Sequence, residues 1–205
     1  MKTQSCAVRV GYAAALLIST IHVGCVNVNT IPPEPSDSAV PGLHKIATMR
    51  DFEGLVLDMM TKMEKSVRFQ QAICNAKEKK NGRRPCLVSG LLKNRISSRK
   101  FVSKLRAARD AINERLQNSD LFDLRTDENS IGIAINIFNA VTGVSNVPIN
   151  GPEIDSLDFY LHGDLLVIPD YGENAYRLRI TVSDLHTGLV AWEGTQKLCI
   201  MDNDK

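Results

Sequence analysis

The stretch that decides the fold runs Tyr176-Arg177-Leu178-Arg179-Ile180-Thr181-Val182-Ser183-Asp184-Leu185-His186-Thr187-Gly188-Leu189-Val190-Ala191-Trp192. From Tyr176 to Val182 apolar and polar residues alternate, the period of a strand with one buried face. The opposite face, bearing Arg177, Arg179 and Thr181, is then wet or occupied by a partner. Asp184 to Gly188 makes a turn, with Gly188 supplying a left-handed position. Leu189 to Leu198 returns as the paired strand, and Trp192 is expected to fill a sheet–helix interface. A hairpin of this kind makes the sheet mixed or antiparallel, and helices elsewhere in the chain make the class α+β.

Upstream, Leu157 to Ile168 alternates in part, with Phe159, Leu161, Leu165 and Val167 on one face. Asn146 to Asp155, with Pro148, Gly151 and Pro152, reads as a loop. Ile131 to Val144 is apolar and open to a helix or strand reading; Ile133, Ile137 and Val141 fit one helical face, which favours helix. Leu121 to Leu124 reads as a strand. Arg99 to Asn118 is a helix whose stripe is Phe101, Leu105, Ala108, Ile112 and Leu116. Asn94 to Ser98 is a polar turn ending in an N-cap, and Cys86 to Leu92 is a short apolar strand following Pro85. Asp51 is placed to cap a first helix carrying Leu55, Met59, Met63 and Val67, with Phe52, Val56 and Met60 beside them. Its methionines read as adaptable core. The first strand–helix–strand passage fits a right-handed crossover. The expected domain, residues 51–205, is therefore α+β: a mixed, mostly antiparallel sheet of about four to five strands flanked by helices.

The N-terminus has a different character. Lys2 and Arg9 precede an apolar run, Val10 to Ile21, of roughly 12 residues, or about 18 Å of helix. A hydrocarbon core needs roughly 20 residues, so a signal-peptide core fits better than a transmembrane helix. Val23-Gly24-Cys25 resembles the end of a lipobox, although His22 stands where the usual pattern has Leu. Residues 1–24 then read as a lipoprotein signal peptide, with lipid on Cys25 as the membrane attachment. Val26 follows the cysteine in place of the Asp that commonly retains such proteins in the inner membrane, so an outer-membrane anchor facing the periplasm is expected. Residues 25–50 carry Pro32, Pro33, Pro35 and Pro41 and few large apolar side chains, the composition of an extended tether.

The formal charge of +2 and apolar content of 43% describe an ordinary globular chain with no call for a polyanionic partner. Lys79, Lys80, Arg83 and Arg84 cluster, as do Lys93, Arg95, Arg99 and Lys100, and both groups read as solvated faces rather than a nucleic-acid site. Cys74 and Cys86 bracket a polar segment, Asn75 to Pro85, that looks like a loop, so they are candidates for a small disulfide; the other reading is that they and Cys199 are three buried, inert thiols. His44, His162 and His186 show no metal-ligand spacing. No nucleophile elbow, phosphate-cradling loop or metal triad is present, and Asp155 and Asp158, like Asp164 and Asp170, read as turn and surface residues. No catalytic residue, cofactor, metal or small-molecule substrate is expected. Arg177 and Arg179 are the candidates for contact with a carboxylate-bearing partner.

Three blocks together carry a resemblance: Leu91 to Ser97 leading into a helix, Asn118-Ser119-Asp120-Leu121-Phe122-Asp123-Leu124 closing it, and Tyr176 through Trp192, which contains a D-x-x-T-G-x-x-x-W hairpin. The set resembles the LpoB family, lipoprotein activators of penicillin-binding proteins, over about Asp51 to Lys197. The resemblance implies a sheet flanked by helices, related to the N-terminal domain of TolB. It also implies docking on a regulatory domain of a bifunctional peptidoglycan synthase, which stimulates glycan polymerisation and crosslinking without chemistry by the lipoprotein. The tether is shorter than the long Pro-rich one of the best-known members, and Asn129 to Asp155 matches weakly. A structural lipoprotein of the CsgG type, a subunit of an envelope or secretion assembly, shares the sheet-and-hairpin logic and is the alternative.

Overall fold

A computed structural model describes residues 44–46, 48–96, 99, 101–145, 156–168 and 175–200. The signal segment, Cys25, the Pro-rich stretch, Ser97 and Ser98, the Asn146–Asp155 loop and Asp170 lie outside the described residues. The elements are β1 (His44–Ile46), α1 (Met49–Lys65), α2 (Val67–Lys79), β2 (Cys86–Asn94), α3 (Phe101–Gln117), β3 (Asp123–Arg125), α4 (Glu128–Val141), β4 (Phe159–Val167), β5 (Ala175–Asp184) and β6 (Val190–Ile200).

Among the described residues the strands form one six-stranded mixed sheet in the order β1-β6-β5-β4-β2-β3. The two long ladders, β4–β5 and β5–β6, are antiparallel, as the hairpin reading requires. The β1–β6, β2–β3 and β2–β4 pairings are parallel, so only β5 runs against the rest. The additional strand comes from the tether segment: His44–Ile46 pairs with Leu198–Ile200, so the fold begins ahead of Asp51.

From β2 the chain crosses through α3 to β3 on one side, then through α4 back to β4 on the other side of β2. The two steps run in opposite directions along the sheet, so right-handed crossovers require their helices on opposite faces. The packing agrees. Phe101, Leu105, Ala108, Ile112 and Leu116 of α3 share a core with α1, α2 and the inward residues Leu87, Phe159, Leu161, Leu165, Tyr176, Leu178, Ile180 and Val182. Ile131, Ala134 and Ile137 of α4 cover Cys86, Val88 and Tyr160 on the other face. The α3 stripe is the one its periodicity predicts. In α4 the buried face is Ile131, Ala134 and Ile137 rather than Ile133, Ile137 and Val141; Val141 lies at the last turn and is exposed.

The first helix differs from expectation at both ends. Thr48, not Asp51, is its N-cap: Thr48 Oγ1 accepts from Asp51 N and Asp51 Oδ2 accepts from Thr48 N, a reciprocal capping box. Ser66 ends α1 and opens α2, its backbone extended and its hydroxyl accepting from Phe69 N at 3.4 Å. The break puts Val67 at the start of a second helix, where it is 79% exposed instead of in the core. Helix α2 then continues through Lys79, so Asn75–Lys79, expected as loop, is helical. Trp192 packs partly buried against the larger core, opposite Val182.

Gly163 lies where β4 leaves no room for a side chain against β5 and Leu92. A Cβ there would stand 2.5 Å from the Arg179 carbonyl oxygen and 2.9 Å from Leu92 Cδ2. Gly163→Ala is therefore expected to destabilise the domain by about 1–3 kcal/mol through overpacking. Gly132 is exposed within α4 with nothing within 4 Å of its built Cβ, and Gly132→Ala should stabilise by about 0.5–1 kcal/mol. Thermal midpoints of the two variants should move in opposite directions, by roughly 2–4 °C per kcal/mol.

Candidate functional site

Titratable side chains converge where β2 and β4 begin. Asp158, just ahead of β4, is 3% exposed and not the surface residue its sequence context suggests. Its Oδ2 accepts from Lys80 Nζ at 2.6 Å and from the Cys86 backbone N–H at 2.7 Å, and its Oδ1 lies 3.3 Å from His186 Nε2. Lys80 also donates to the Ser156 carbonyl at 2.9 Å. Burial raises the Asp158 pKa, but hydrogen bonds from His186, Lys80 and the Cys86 N–H, with the Lys80 charge, outweigh it and hold the carboxyl below its usual range. The hydrogen bond to Asp158 raises His186, against the opposing effect of burial. Burial also raises the Cys86 thiol, although the Arg125 and Lys80 charges oppose it.

The β5–β6 turn is fixed by its own polar groups. Asp184 Oδ1 accepts from His186 N at 2.8 Å and from Thr187 N at 2.9 Å, and Thr187 Oγ1 accepts from Leu189 N. Gly188 has φ 71°, the left-handed position read from sequence. The Leu185 N–H donates to the Asp158 carbonyl at 2.8 Å, which joins the turn to the buried carboxylate. Beside this junction lies an open cleft of about 470 Å³ lined by Lys80, Arg83, Arg84, Cys86, Asp123 and Arg125.

Arg177 and Arg179 both project from the β5 face away from the larger core and are exposed. Arg179 Nη2 donates to Asp164 Oδ2 at 2.8 Å, and this hydrogen bond raises the guanidinium pKa. Arg177 stands across from Lys197 and Leu166 in the two ladders. Thr181, expected on a face that is wet or occupied by a partner, is 5% exposed. It is covered because this face also holds His162, opposite Thr181, in an aromatic cluster. The His162 ring lies 5.1 Å from Tyr160, stacked, and 5.1 Å from Phe138 of α4. Burial pushes the His162 pKa down to about 4; Asp164 opposes this, while Arg179 and Lys93 add to it.

Among the described residues Cys74, Cys86 and Cys199 are free thiols: Cys74 is exposed on α2, and Cys86 is buried. The expected disulfide is absent because α2 packs on one face of the sheet while Cys86 points into the α4 cluster on the other. Among the described residues no three His, Cys, Asp or Glu side chains group as metal ligands, and no helix is long and apolar enough to cross a membrane. The sequence reading missed the junction of Asp158, Lys80 and His186. Its one signal was the basic run after Cys74, whose lysine serves a carboxylate 78 residues away.

The two histidines give stability opposite pH dependences. His162, depressed in the folded state, favours unfolding as pH falls from about 6.5 toward 4. His186, raised, contributes stability that is full below about 6.5 and fades as pH rises through its folded value. Unfolding free energies from urea titrations at pH 4.5 and 7.5 should differ less in His162→Phe than in the parent, by about 2–3 kcal/mol. His186→Gln should cost more stability at pH 5.5 than at pH 9. Asp158→Ala strands Lys80 and the Cys86 N–H and should cost about 2–4 kcal/mol at neutral pH.

No family model matches this chain, and no curated protein does. Among solved structures, the chain is similar to the LpoB C-terminal domain from Escherichia coli at 15% identity and TM-score 0.40, covering 72% of this chain and 98% of that one. It is similar to E. coli LpoB determined by NMR at 14% identity and TM-score 0.42, covering 96% and 86%. It is similar to a PelC dodecamer from Paraburkholderia phytofirmans at 12% identity and TM-score 0.35, covering 60% and 76%. At these identities and TM-scores no partner or activity passes from them to this chain.

Proposed function

We propose that this chain is a lipid-anchored periplasmic protein that binds a bifunctional penicillin-binding protein and activates it, thereby regulating peptidoglycan synthesis. The observation that carries this reading is the hairpin Asp184–Trp192. Its D-x-x-T-G-x-x-x-W residues fold as a rigid turn between β5 and β6, behind a segment that ends in a lipobox-like Val23-Gly24-Cys25. The junction around Asp158 supports a binding role over a catalytic one, because its carboxylate, amine and imidazole are bonded to one another.

The activator works by differential affinity. It shifts the synthase toward a working conformation only as far as it binds that conformation more tightly. The lipid on Cys25 holds it at the outer membrane, facing the periplasm. Between Cys25 and His44 lie 18 residues, which reach at most about 65 Å. The docking domain of the synthase must come within that radius of the anchor, extended by the domain itself.

A pull-down from detergent-solubilised envelope, with the full chain tagged at its C-terminus, tests this. The expected result is capture of a bifunctional penicillin-binding protein together with faster glycan polymerisation when the purified chain is added to it. Recovery of self-associated rings or secretion lipoproteins alone would replace the activator with a subunit of an envelope assembly.

A further inference from the structure

Helix α2 lies across one end of the sheet. At its start Arg68 Nη2 donates to the Val190 carbonyl at 2.7 Å, where β6 begins. Just past its end Lys80 reaches Asp158, where β4 begins. The end of α4 meets the same region: a Cβ on Gly188 would lie 3.1 Å from the Val141 carbonyl oxygen. The chain joins the sheet elsewhere, at His44 beside Leu198, roughly 26 Å from Val190 at 3.3 Å per residue along β6. This end therefore lies away from the point where the N-terminal segment joins the domain.

Its composition is unusual in two ways. Half of the large apolar residues exposed among the described residues gather here: Val67 at 79%, Val144 at 74%, Leu189 at 65%, Val141 at 39% and Val190 at 37%. Residues 67–84 also carry six basic side chains and one acidic one, a net of five positive charges in a chain whose total is +2. The remainder of the protein is therefore net negative, and the positive field is concentrated on α2 and the loop after it. The turn that presents Leu189 is held by Asp184 and Thr187 hydrogen bonds, so little ordering entropy would be lost when it is covered. Arg84 lies 3.3 Å from the fully exposed Asp120, an ion pair that water screens, whereas on the open sheet face Arg179 is committed to the largely buried Asp164.

We propose that this end of the sheet, from the β5–β6 turn across α2 to the Lys80–Arg84 loop, docks a protein partner that presents apolar side chains bordered by carboxylates. Leu189, Val67 and Val144 fill the apolar centre of the contact, and Arg83 and Arg84 steer the acidic border. The surface rests on the activator reading only for the expected identity of its partner.

The test is photo-crosslinking in the host envelope, with the full chain carrying a benzophenone amino acid at position 189 or, for the open sheet face, at exposed position 195. Each is repeated with Arg83→Glu and Arg84→Glu together, two exposed changes whose thermal midpoints are checked against the parent. The expected result is a protein adduct at 189, reduced on the order of tenfold by the charge reversal. If the partner is the synthase, both readings stand. If it is a different protein, captured with the same charge dependence and an acidic contact face, the surface stands and the activator reading falls. Synthase captured at 195 but not at 189 keeps the activator and overturns the surface. A second copy of the chain, lipid alone, a charge-insensitive adduct or no adduct at 189 overturns it as well.

Discussion

At the end of the sheet where α2 crosses, a carboxylate is kept in its charged form out of water, and the surrounding elements are located by the groups that make this possible. An ion so buried is tolerated only when donors meet it from close range. Asp158 draws them from three separate pieces of chain: Lys80 after α2, the first N–H of β2, and His186 in the hairpin turn. Lys80 and Cys86 are close in sequence, but both lie more than 70 residues from Asp158, and His186 lies 28 from it, so satisfying the carboxylate fixes where these pieces meet. The Asp158 backbone repeats the arrangement, donating to the Cys86 carbonyl and accepting from Leu185.

The position of α2 follows from that anchor and from Ser66. Without the break, α1 would run on and carry Val67 along its apolar stripe. The Ser66 hydroxyl offers the next helix its first acceptor, the chain turns, and α2 crosses the sheet end with Phe69 set against Phe122 and Phe159. The basic residues of α2 thus come to lie beside the hairpin turn. Along the length of the strands, α3 is tied to α1 by Arg115, whose Nε and Nη2 both donate to Glu64.

Local pattern carried most of the fold. The α3 stripe, the strand from Cys86, the alternation of β5 and the left-handed Gly188 each depend on neighbours within a few residues, and each was legible. What was not legible depends on partners far along the chain. Asp158 reads as a loop aspartate because nothing beside it announces Lys80 or His186. The helical state of Cys74 is set by packing of Phe69, Ile73 and Ala76 under the sheet, which overrides the polar look of Asn75–Lys79. Strand β1 is three residues long and gains its place only by pairing with the end of β6. At the candidate site, the exposure of Arg177 and Arg179 was readable from alternation, whereas the bond between Arg179 and Asp164 required the β4–β5 register.

The same distinction bears on what the molecule can do. A general base needs a free lone pair and a pKa near the working pH. Asp158 has its oxygens engaged by three donors and its pKa pushed the wrong way, while burial raises the Cys86 thiol away from the nucleophilic thiolate. His162 keeps a neutral ring, but it is stacked on Tyr160 and packed at a tilt against Phe138. The groups that resemble chemistry in composition are thus used as braces. The apolar side chains left outward at the turn have no comparable internal use, and beyond them Arg83 is exposed and Arg84 is held by an exposed ion pair to Asp120. Their burial would remove apolar surface from water and match the local positive field with acidic groups, both of which require another surface.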